Sequence, residues 1–356
     1  MYRRENNSPM PKSILAVAAI LAILGIGSWI YQLIVGMQVT GLDNNVVWGL
    51  YIAFFFVVIG GGAALLAIVG ISEFKNILSP DSKSRILLLS ITTFIGGGIL
   101  ITIDLGNPIQ VFRIATSFKF QSLLVWDFWL LALCFFLALF YLVKVRKDNS
   151  GGKVYGLISI AAALFLIVAE SFLLSSMLGH HLWESGMTLI SFLISAAVVG
   201  SAFILLLMPD NRTVRNILLA TLVFSLIATL AEVFTGALTG NPETKTEMML
   251  LLSGQGALYF WGQVLIGLIL PLFLLLKSYK PIAIALLSIF GTLMGKVWLL
   301  ALGQWVQGSL VYIPSLPELI TIIGTSGIGV LLYGVLVKAF EPKASPKAEQ
   351  TKMSVA

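Results

Sequence analysis

The chain has 356 residues, of which 58% are hydrophobic and 11% are charged, and its mean hydropathy is +0.99. A soluble domain carries about twice that charged fraction, so the composition excludes a soluble globular protein. The formal net charge is +6. The one cysteine, Cys134, lies in an apolar run. A single thiol excludes an internal disulfide, and it excludes an iron–sulfur cluster, which needs about four thiolates.

Apolar runs of about 20 residues recur along the chain, and each is long enough to cross the hydrocarbon core of a bilayer. Gly, Pro and charged residues separate them. The first run has about 22 apolar residues, which predicts a retained helix rather than a cleaved signal peptide. We therefore expect an all-α polytopic membrane protein. Its ten predicted spans are 13–35, 46–71, 86–104, 122–143, 154–178, 188–208, 216–238, 251–276, 281–302 and 320–338.

Lys and Arg are distributed unequally between the two sides of these spans. Of 22 such residues, 18 lie in the termini and in the loops of one side, and three lie on the other side. The positive-inside rule then predicts that both termini are cytoplasmic. We expect a cytoplasmic segment at 1–12, an integral membrane domain at 13–340 and a disordered cytoplasmic tail at 341–356. The positive charge then reflects topology and contact with anionic lipid, and not nucleic-acid binding.

Five charged residues lie inside predicted spans, where such residues usually mark functional sites. At about 1.5 Å per residue, all five are expected in the outer third of the membrane. They predict a polar chamber that opens toward the outside. As an alternative, the two aspartates cap helix ends at the interface and the lysine is only a counter-ion. The five residues are Asp104, Asp127, Glu170, Glu232 and Lys296.

His180 and His181 are the only histidines, and they follow Glu170 in an outer loop. Adjacent histidines cannot bind one haem iron from opposite faces, so we expect no haem. The pair is interpreted either as polar loop surface or as a proton relay. Aromatic residues near the same layer indicate an interfacial belt or the walls of a site for a flat ligand. The glycine triplets 60–62 and 96–98 indicate close helix packing.

Several short motifs, taken in order, resemble those of the NrfD/PsrC family of membrane quinone-interacting subunits. WGLYIAFFF at 48–56 belongs to the second predicted span, Asp-Leu-Gly-x-Pro at 104–108 ends the third, and Trp-Asp at 126–127 begins the fourth. FWGQVLIGLILP at 260–271 and YIPSLPE at 312–318 follow. The ten-span length is most similar to the branch that contains the hydrogenase-2 membrane subunit and the DsrP/HmeC-like proteins of sulfate reducers.

The resemblance implies two helix bundles, with a quinone pocket near the outer face of the first. It also implies a partner with ferredoxin-like [4Fe–4S] clusters over that pocket, together with further catalytic or cytochrome subunits. The quinone, expected to be menaquinone, is a mobile substrate, and the chain itself is expected to hold no haem, flavin or iron–sulfur cluster. Asn107 and Lys296 stand where relatives often have Arg, and Gln263 where they often have Glu. These three departures leave the expected fold unchanged and bear on how the protein would handle protons.

The candidate site residues form three sets, and no metal site is expected. The proton-handling residues are Asp104, Glu170, Asp127, His180 and His181. The quinone-binding residues are Trp48, Tyr51, Asp104, Asn107, Trp126 and Glu170. A second polar patch in the later bundle contains Glu232, Tyr259, Gln263 and Lys296.

The predicted function is that of a quinol-oxidising or quinone-reducing component of a respiratory oxidoreductase in a prokaryotic cytoplasmic membrane. Protons would be released or taken up at the outer face, because quinol loses protons as it loses electrons. The direction of electron flow stays open. Two alternatives remain: a secondary transporter or ion-coupled carrier, whose site would lie near the midplane, and a membrane anchor without quinone binding. Proton pumping is not expected, because no charged residue lies deep in the inner halves of the predicted spans.

Overall fold

The computed structural model describes residues 10–75, 77–117, 119, 121–177, 180, 182–184, 186–238, 241–306, 309 and 311–340. Within these ranges the chain forms helices and no strand. Ten helices are long and apolar enough to cross a membrane, as predicted. They are α1 Lys12–Val35, α2 Leu50–Lys75, α3 Pro80–Asp104, α4 Leu123–Asp148, α5 Lys153–Ser175, α6 Gly186–Leu207, α7 Arg212–Leu238, α8 Ala257–Leu276, α9 Pro281–Gly303 and α10 Leu316–Ala339.

Helix α2 starts four residues later than predicted, because the backbone before it is bound elsewhere. The N–H groups of Val47 and Trp48 donate to the side-chain oxygen of Gln304, at 2.9 and 3.0 Å. The N–H of Leu50 donates to the hydroxyl of Tyr312 at 2.9 Å. The loop before α2 is thus fastened to the outer loop between α9 and α10.

Helix α3 starts six residues earlier than predicted, at Pro80, where Ser79 caps it by accepting from the Ser82 N–H. Helix α8 starts six residues later than predicted. The preceding segment Pro242–Ser253, which includes part of a predicted loop, forms its own helix and ends at Gly254. A further short helix, Gln110–Thr116, lies between α3 and α4.

The ten helices form two bundles of four and one peripheral pair. Helices α2 to α5 pack on one another, and so do α6 to α9, which confirms the two predicted bundles. Helix α2 also packs on α6 and α9, so it joins the two bundles. Helix α1 pairs with α10, and α10 packs on α3. The first and last spans of the chain therefore lie side by side against the first bundle.

Close helix contacts occur where glycine is present. A Cβ atom at Gly61 would lie 2.5 Å from Val199 of α6, and one at Gly25 would lie 2.5 Å from the Cα of Gly324 in α10. Both distances are too short for a side chain. The first glycine triplet therefore packs as predicted. In the second triplet Gly97 packs against Ile59, whereas Gly98 has open space beside it.

Because the number of spans is even, both ends of the helical domain lie on the same side of the membrane. We call the opposite side of the membrane the outer side. That the termini face the cytoplasm stays a prediction. Residues 1–9 and 341–356 lie outside the described residues, and so do the predictions made for them.

A buried clasp joins the inner ends of the first bundle. The carboxylate of Glu73 in α2 accepts from Lys83 Nζ of α3 at 2.7 Å, from the Tyr141 hydroxyl of α4 at 3.0 Å and from the Gly151 N–H at 3.2 Å. Glu73 and Lys83 are both buried. Lys83 was predicted to lie in a loop, but the longer α3 brings it into the packed part of the bundle.

Candidate functional site

Asp104 is the last residue of α3, at its outer end. The helix ends because the Leu105 N–H returns to the Ile101 carbonyl and the Gly106 N–H to the Ile103 carbonyl, both at 3.1 Å. Gly106 adopts φ +61°, a conformation that favours glycine. Carboxylate oxygen Oδ1 of Asp104 is buried and accepts no hydrogen bond from the described part of the chain. The turn thus holds a carboxylate that still has a free acceptor oxygen.

A hydrogen-bonded chain beside Asp104 joins α2, α1 and α10. The hydroxyl of Tyr51 donates to Gln32 Oε1 at 2.7 Å, and Gln32 Nε2 donates to Thr321 Oγ1 at 2.9 Å. All three side chains are buried. Tyr51 interacts electrostatically with both Asp104 and Glu318. Of the predicted quinone-binding residues, Tyr51 and Asp104 are therefore brought together.

An apolar cleft of about 460 Å³ lies between α1, α3 and α10. The indole Nε1 of Trp29, in its wall, is buried and donates to no residue that the structure describes. Thr321 belongs both to the wall and to the hydrogen-bonded chain, and Asp104 directly follows two wall residues. The cleft thus has an apolar body and polar groups at its outer end. The wall consists of Gly25, Ile26, Trp29, Ile95, Gly98, Ile99, Thr102, Ile103, Thr321, Thr325 and Ile328.

The other predicted charges form a second, separate group. Glu170 of α5 is fully buried, and neither of its carboxylate oxygens has a hydrogen-bond partner among the described residues. It interacts electrostatically with Asp127 of α4 and Lys296 of α9. Lys296 interacts in turn with Glu232 of α7. Glu170 was expected beside Asp104 in one chamber, whereas its charged neighbours are Asp127 and Lys296.

Asp127 lines a smaller cleft of about 60 Å³ between α2, α3, α4 and the short helix Gln110–Thr116. Gly98 of α3 lines both this cleft and the larger one. The two clefts thus share one lining residue, and that glycine has open space where a side chain would be.

Three of the four residues predicted for the second polar patch are neighbours in the structure. Gln263 donates to Thr229 Oγ1 at 3.3 Å and accepts from the indole N–H of Trp298 at 2.6 Å. Gln263, Glu232 and Lys296 line one polar cavity of about 10 Å³. Tyr259 lies elsewhere, because its hydroxyl donates to the Tyr312 carbonyl at 3.0 Å.

Gln263 lies in a π-helical stretch, Gly262–Ile269, inside α8. Such wide turns are rare and occur frequently at functional sites. Here Gly267 lets α8 approach α9, since a Cβ at this position would overlap the Cα of Gly291. The motif FWGQVLIGLILP identified this segment in the sequence, but it did not predict the π-helical turn.

Aromatic side chains of the outer loops pack on one another and not on the larger cleft. Trp48 stacks on Trp183 with a ring-centroid distance of 5.9 Å, and His180 packs against the same Trp183 at 4.4 Å. Nδ1 of His180 is 2.5 Å from the Gly303 carbonyl oxygen. Trp48 and His180 therefore join the loops before α2, after α5 and after α9.

Two further predicted residues, Trp126 and Asn107, lie at the surface. Trp126 is 46% exposed on the surface of α4. Asn107 is exposed in the turn after Asp104, where its side chain accepts from the Ile109 N–H at 3.2 Å. His181 lies outside the described residues.

Glu318 and Tyr312 form an outer clasp that the sequence did not assign to the site. Glu318 is fully buried, accepts from the Tyr312 hydroxyl at 2.5 Å and from the Gly41 N–H at 2.7 Å, and caps α10 through Ser315. Burial, and then the Glu318 carboxylate, raise the pKa of Tyr312. The motif YIPSLPE contains both residues, so it was the feature of the sequence from which they could have been assigned to the site.

Within the described ranges, no group of three or more His, Cys, Asp and Glu side chains has a geometry that could hold a metal ion.

Two relatives show what the chain is similar to. A protein of Halobacterium salinarum, named as a membrane component of a dimethyl sulfoxide reductase, is 35% identical over 136 residues, which is 38% of this chain and 31% of that protein. This match thus covers about a third of the relative. A protein of Mesobacillus selenatarsenatis, named as a component of selenate reductase, is 22% identical over 92% of this chain and 94% of the relative.

A family model described as polysulphide reductase, NrfD matches residues 38–308. That range contains α2 to α9, and hence both bundles, Asp104 and the four charges of the second group. The residues that carry the resemblance in the sequence lie mostly in the same range. The chain is a polytopic membrane protein that belongs to the NrfD family.

Proposed function

We propose that this chain is the membrane quinone-interacting subunit of an oxidoreductase complex. It would exchange electrons between a quinol, menaquinol in our prediction, and an iron–sulfur protein that docks on its outer face. Protons would be released or taken up near the outer ends of α1, α3 and α10. The names of the two relatives support a role within a reductase complex.

The larger cleft supports the proposal by its size and its wall. Ligand sites usually have volumes of about 300–1,000 Å³ and mostly apolar walls with a few placed polar groups. The cleft of about 460 Å³ between α1, α3 and α10 has this character. A quinone has a long apolar tail and a polar ring, so its tail suits the cleft body and its ring suits the outer end.

The observation that carries the proposal is a buried donor in the wall of this cleft and a buried acceptor on the residue that follows the wall residues Thr102 and Ile103, both without partners in the described structure. Trp29 offers an indole N–H, and Asp104 offers a carboxylate oxygen. A buried polar group without a partner costs about 1–3 kcal/mol. A quinone carbonyl would accept from Trp29, and a quinol hydroxyl would donate to Asp104. Both redox forms would thus find a complementary group.

Asp104 would act as the proton acceptor during quinol oxidation and as the donor in the reverse direction. A carboxylate within hydrogen-bond reach of the hydroxyl is the group that this step requires. Tyr51 would orient the ring side of the site, because Gln32 and Thr321 hold its hydroxyl in place. Tyr51 is thus a positioning residue in this proposal.

The electrons would pass to another protein. The chain has one cysteine, so it does not supply the thiolates of an iron–sulfur cluster. The partner would dock where the loops around Trp48, Trp183 and His180 are held together. The identity of that partner, and the direction of electron flow, belong to the proposal.

Photoaffinity labelling tests the binding site directly. The full-length chain in lipid nanodiscs is irradiated with an azido-menaquinone analogue, and the labelled peptides are mapped by mass spectrometry. We expect labels on α1, α3 or α10 near Trp29 and Ile103, and we expect excess unmodified menaquinone to remove them. Labels that are spread over the lipid-facing surface and persist under competition would favour an anchor without a quinone site.

A further inference from the structure

The quinone site proposed above leaves unused four charged groups within the membrane-spanning helices, three of which are buried. Asp127, Glu170, Lys296 and Glu232 come from α4, α5, α9 and α7, and so from both bundles. Charged groups within a membrane are rare, costly and usually functional. If they served only to hold helices together, direct ion pairs would be expected. Instead Asp127 Oδ1, both Glu170 oxygens and Lys296 Nζ lack hydrogen-bond partners in the described structure.

Lys296 stands between the acids of the two bundles. It interacts electrostatically with Glu170 of the first bundle and with Glu232 of the second. Its ammonium group lies 3.2 Å from the centroid of the Phe192 ring of α6. A cation over an aromatic face is held without being fixed to one acid. Lys296 is therefore placed to serve either neighbour.

The Glu232 end of the group opens into a polar cavity. Its wall contains Ser191, Ser195 and Thr229 besides Glu232, Gln263 and Lys296, and its volume of about 10 Å³ matches about one water. Several hydroxyls supply the partners that such a water needs. The wide turn in α8 and the bond from Trp298 hold Gln263 at this cavity.

Asp127 lines the smaller cleft, and Gly98 of α3 lines both this cleft and the larger one. The order of the groups, from this end, is Asp127, Glu170, Lys296 and Glu232.

We propose that these four groups form a lateral proton relay, which carries protons from the quinone site in the first bundle to the polar cavity in the second. This inference rests on the proposed function. The Lys296 ammonium passes a proton to the Glu232 carboxylate, the Glu170 acid then reprotonates the Lys296 amine, and the Asp127 acid reprotonates the Glu170 carboxylate. No electron moves in these steps. The transferred protons come from the quinol, which loses two protons when it is oxidised.

Cys134 provides a reporter for a first test that needs neither quinone nor partner. It is the only cysteine, is fully buried, and interacts electrostatically with Asp127 and Glu170. Its S–H stretching band in the infrared spectrum should shift when either acid changes charge. We would titrate the full chain in nanodiscs and record the midpoint of that shift.

The relay predicts that Glu232→Gln moves the midpoint at Cys134, because Lys296 then pairs with Glu170 alone. Lys296→Met should move it in the opposite direction. The exposed Glu243 provides the control, since Glu243→Gln makes the same chemical change in the outer helix Pro242–Ser253. A midpoint unchanged in both Glu232→Gln and Lys296→Met would overturn the coupling between the bundles.

The second test measures transfer itself. In membranes that contain the assembled complex, a pH dye follows proton release after quinol addition. We expect release to slow at least tenfold in Glu232→Gln and to recover in Glu232→Asp, with photolabelling unchanged. Normal release in Glu232→Gln and in Lys296→Met would overturn the relay even if the infrared midpoint moves. Failure of the proposed function would differ, because the wild-type chain would then not be labelled.

Discussion

At the scale of single residues, the site depends on polar atoms that the described chain leaves without partners. Asp104 could be identified in the sequence, because Gly, Asn and Pro end its helix and leave a carboxylate at the end of an apolar run. Trp29, Gln32 and Thr321 could not be identified in this way. They lie at opposite ends of the chain, and a hydrogen bond such as Gln32 to Thr321 joins residues 289 positions apart.

Asp104→Asn should abolish quinol oxidation without loss of the protein from the membrane. The amide keeps the size of the side chain but cannot accept the proton, and removal of a general base costs about 100-fold to 10,000-fold in rate. We would measure the rate of quinol-dependent electron transfer in membranes and normalise it to the amount of the protein present. Activity within about threefold of the wild-type value would contradict a role for Asp104 as the base.

Trp29→Phe should weaken quinone binding and leave the maximal rate nearly unchanged. The ring is kept and one N–H donor is lost, which is worth about 0.5–1.5 kcal/mol, or up to about tenfold in KM. Trp261→Phe is the matched control, since its indole N–H donates to the Leu252 carbonyl on the exposed side of α8. An equal change of KM in both variants would exclude a specific donor at Trp29.

At the scale of helices, the apolar runs predicted the number and approximate bounds of the spans, but not which helices are neighbours. Glu170 and Asp104 have similar predicted depths, and depth alone placed them in one chamber. The packing of α5 on α4, and of α9 on α2, turns Glu170 toward Asp127 and Lys296 instead. The separation of the two charged groups thus comes from tertiary contacts.

Gly324→Leu should separate α1 from α10 and open the larger cleft. The backbones touch at Gly25 and Gly324, and overpacking of such a contact costs about 1–3 kcal/mol. We expect a lower thermal midpoint and lost photolabelling. Gly329→Leu, with open space beside it on the same helix, should change neither. Retained labelling in Gly324→Leu would argue against a site between α1 and α10.

Lys83→Met should destabilise the first bundle without affecting the quinone site. It leaves the Glu73 carboxylate buried without its cation, and breaking a buried ion pair costs about 3–5 kcal/mol. Denaturation in detergent micelles measures the loss. Since the clasp lies at the inner end, the affinity for a quinone analogue should remain that of the wild-type chain when measured well below the unfolding transition.

At the scale of the whole molecule, the two bundles are joined through α2, and the α1–α10 pair packs against the first of them. The larger cleft therefore lies at the edge of the first bundle. A lipid-borne substrate would reach that cleft from the side. The proposed relay of Asp127, Glu170, Lys296 and Glu232 would then connect this edge to the second bundle. The unequal distribution of Lys and Arg between the two sides predicted the orientation, in which the charged residues of the spans lie toward the outer face.

The orientation itself can be measured. We expect the thiol of Asp148→Cys to react with a membrane-impermeant reagent only after the cells are opened, because this end of α4 should face the cytoplasm. The thiol of Lys245→Cys should react in intact cells. Cys134 is buried and should give little background. The reverse pattern would place the proposed quinone site on the cytoplasmic side.

The central claim is that this chain passes electrons between a quinol and the iron–sulfur clusters of a partner. The most direct measurement is a gentle pull-down of the tagged chain from its own membranes, followed by addition of a reduced menaquinone analogue and EPR spectroscopy. We expect reduced iron–sulfur signals in the eluate, which a quinone-site inhibitor and Asp104→Asn both suppress. A chain that elutes without clusters and without bound quinone would contradict the claim.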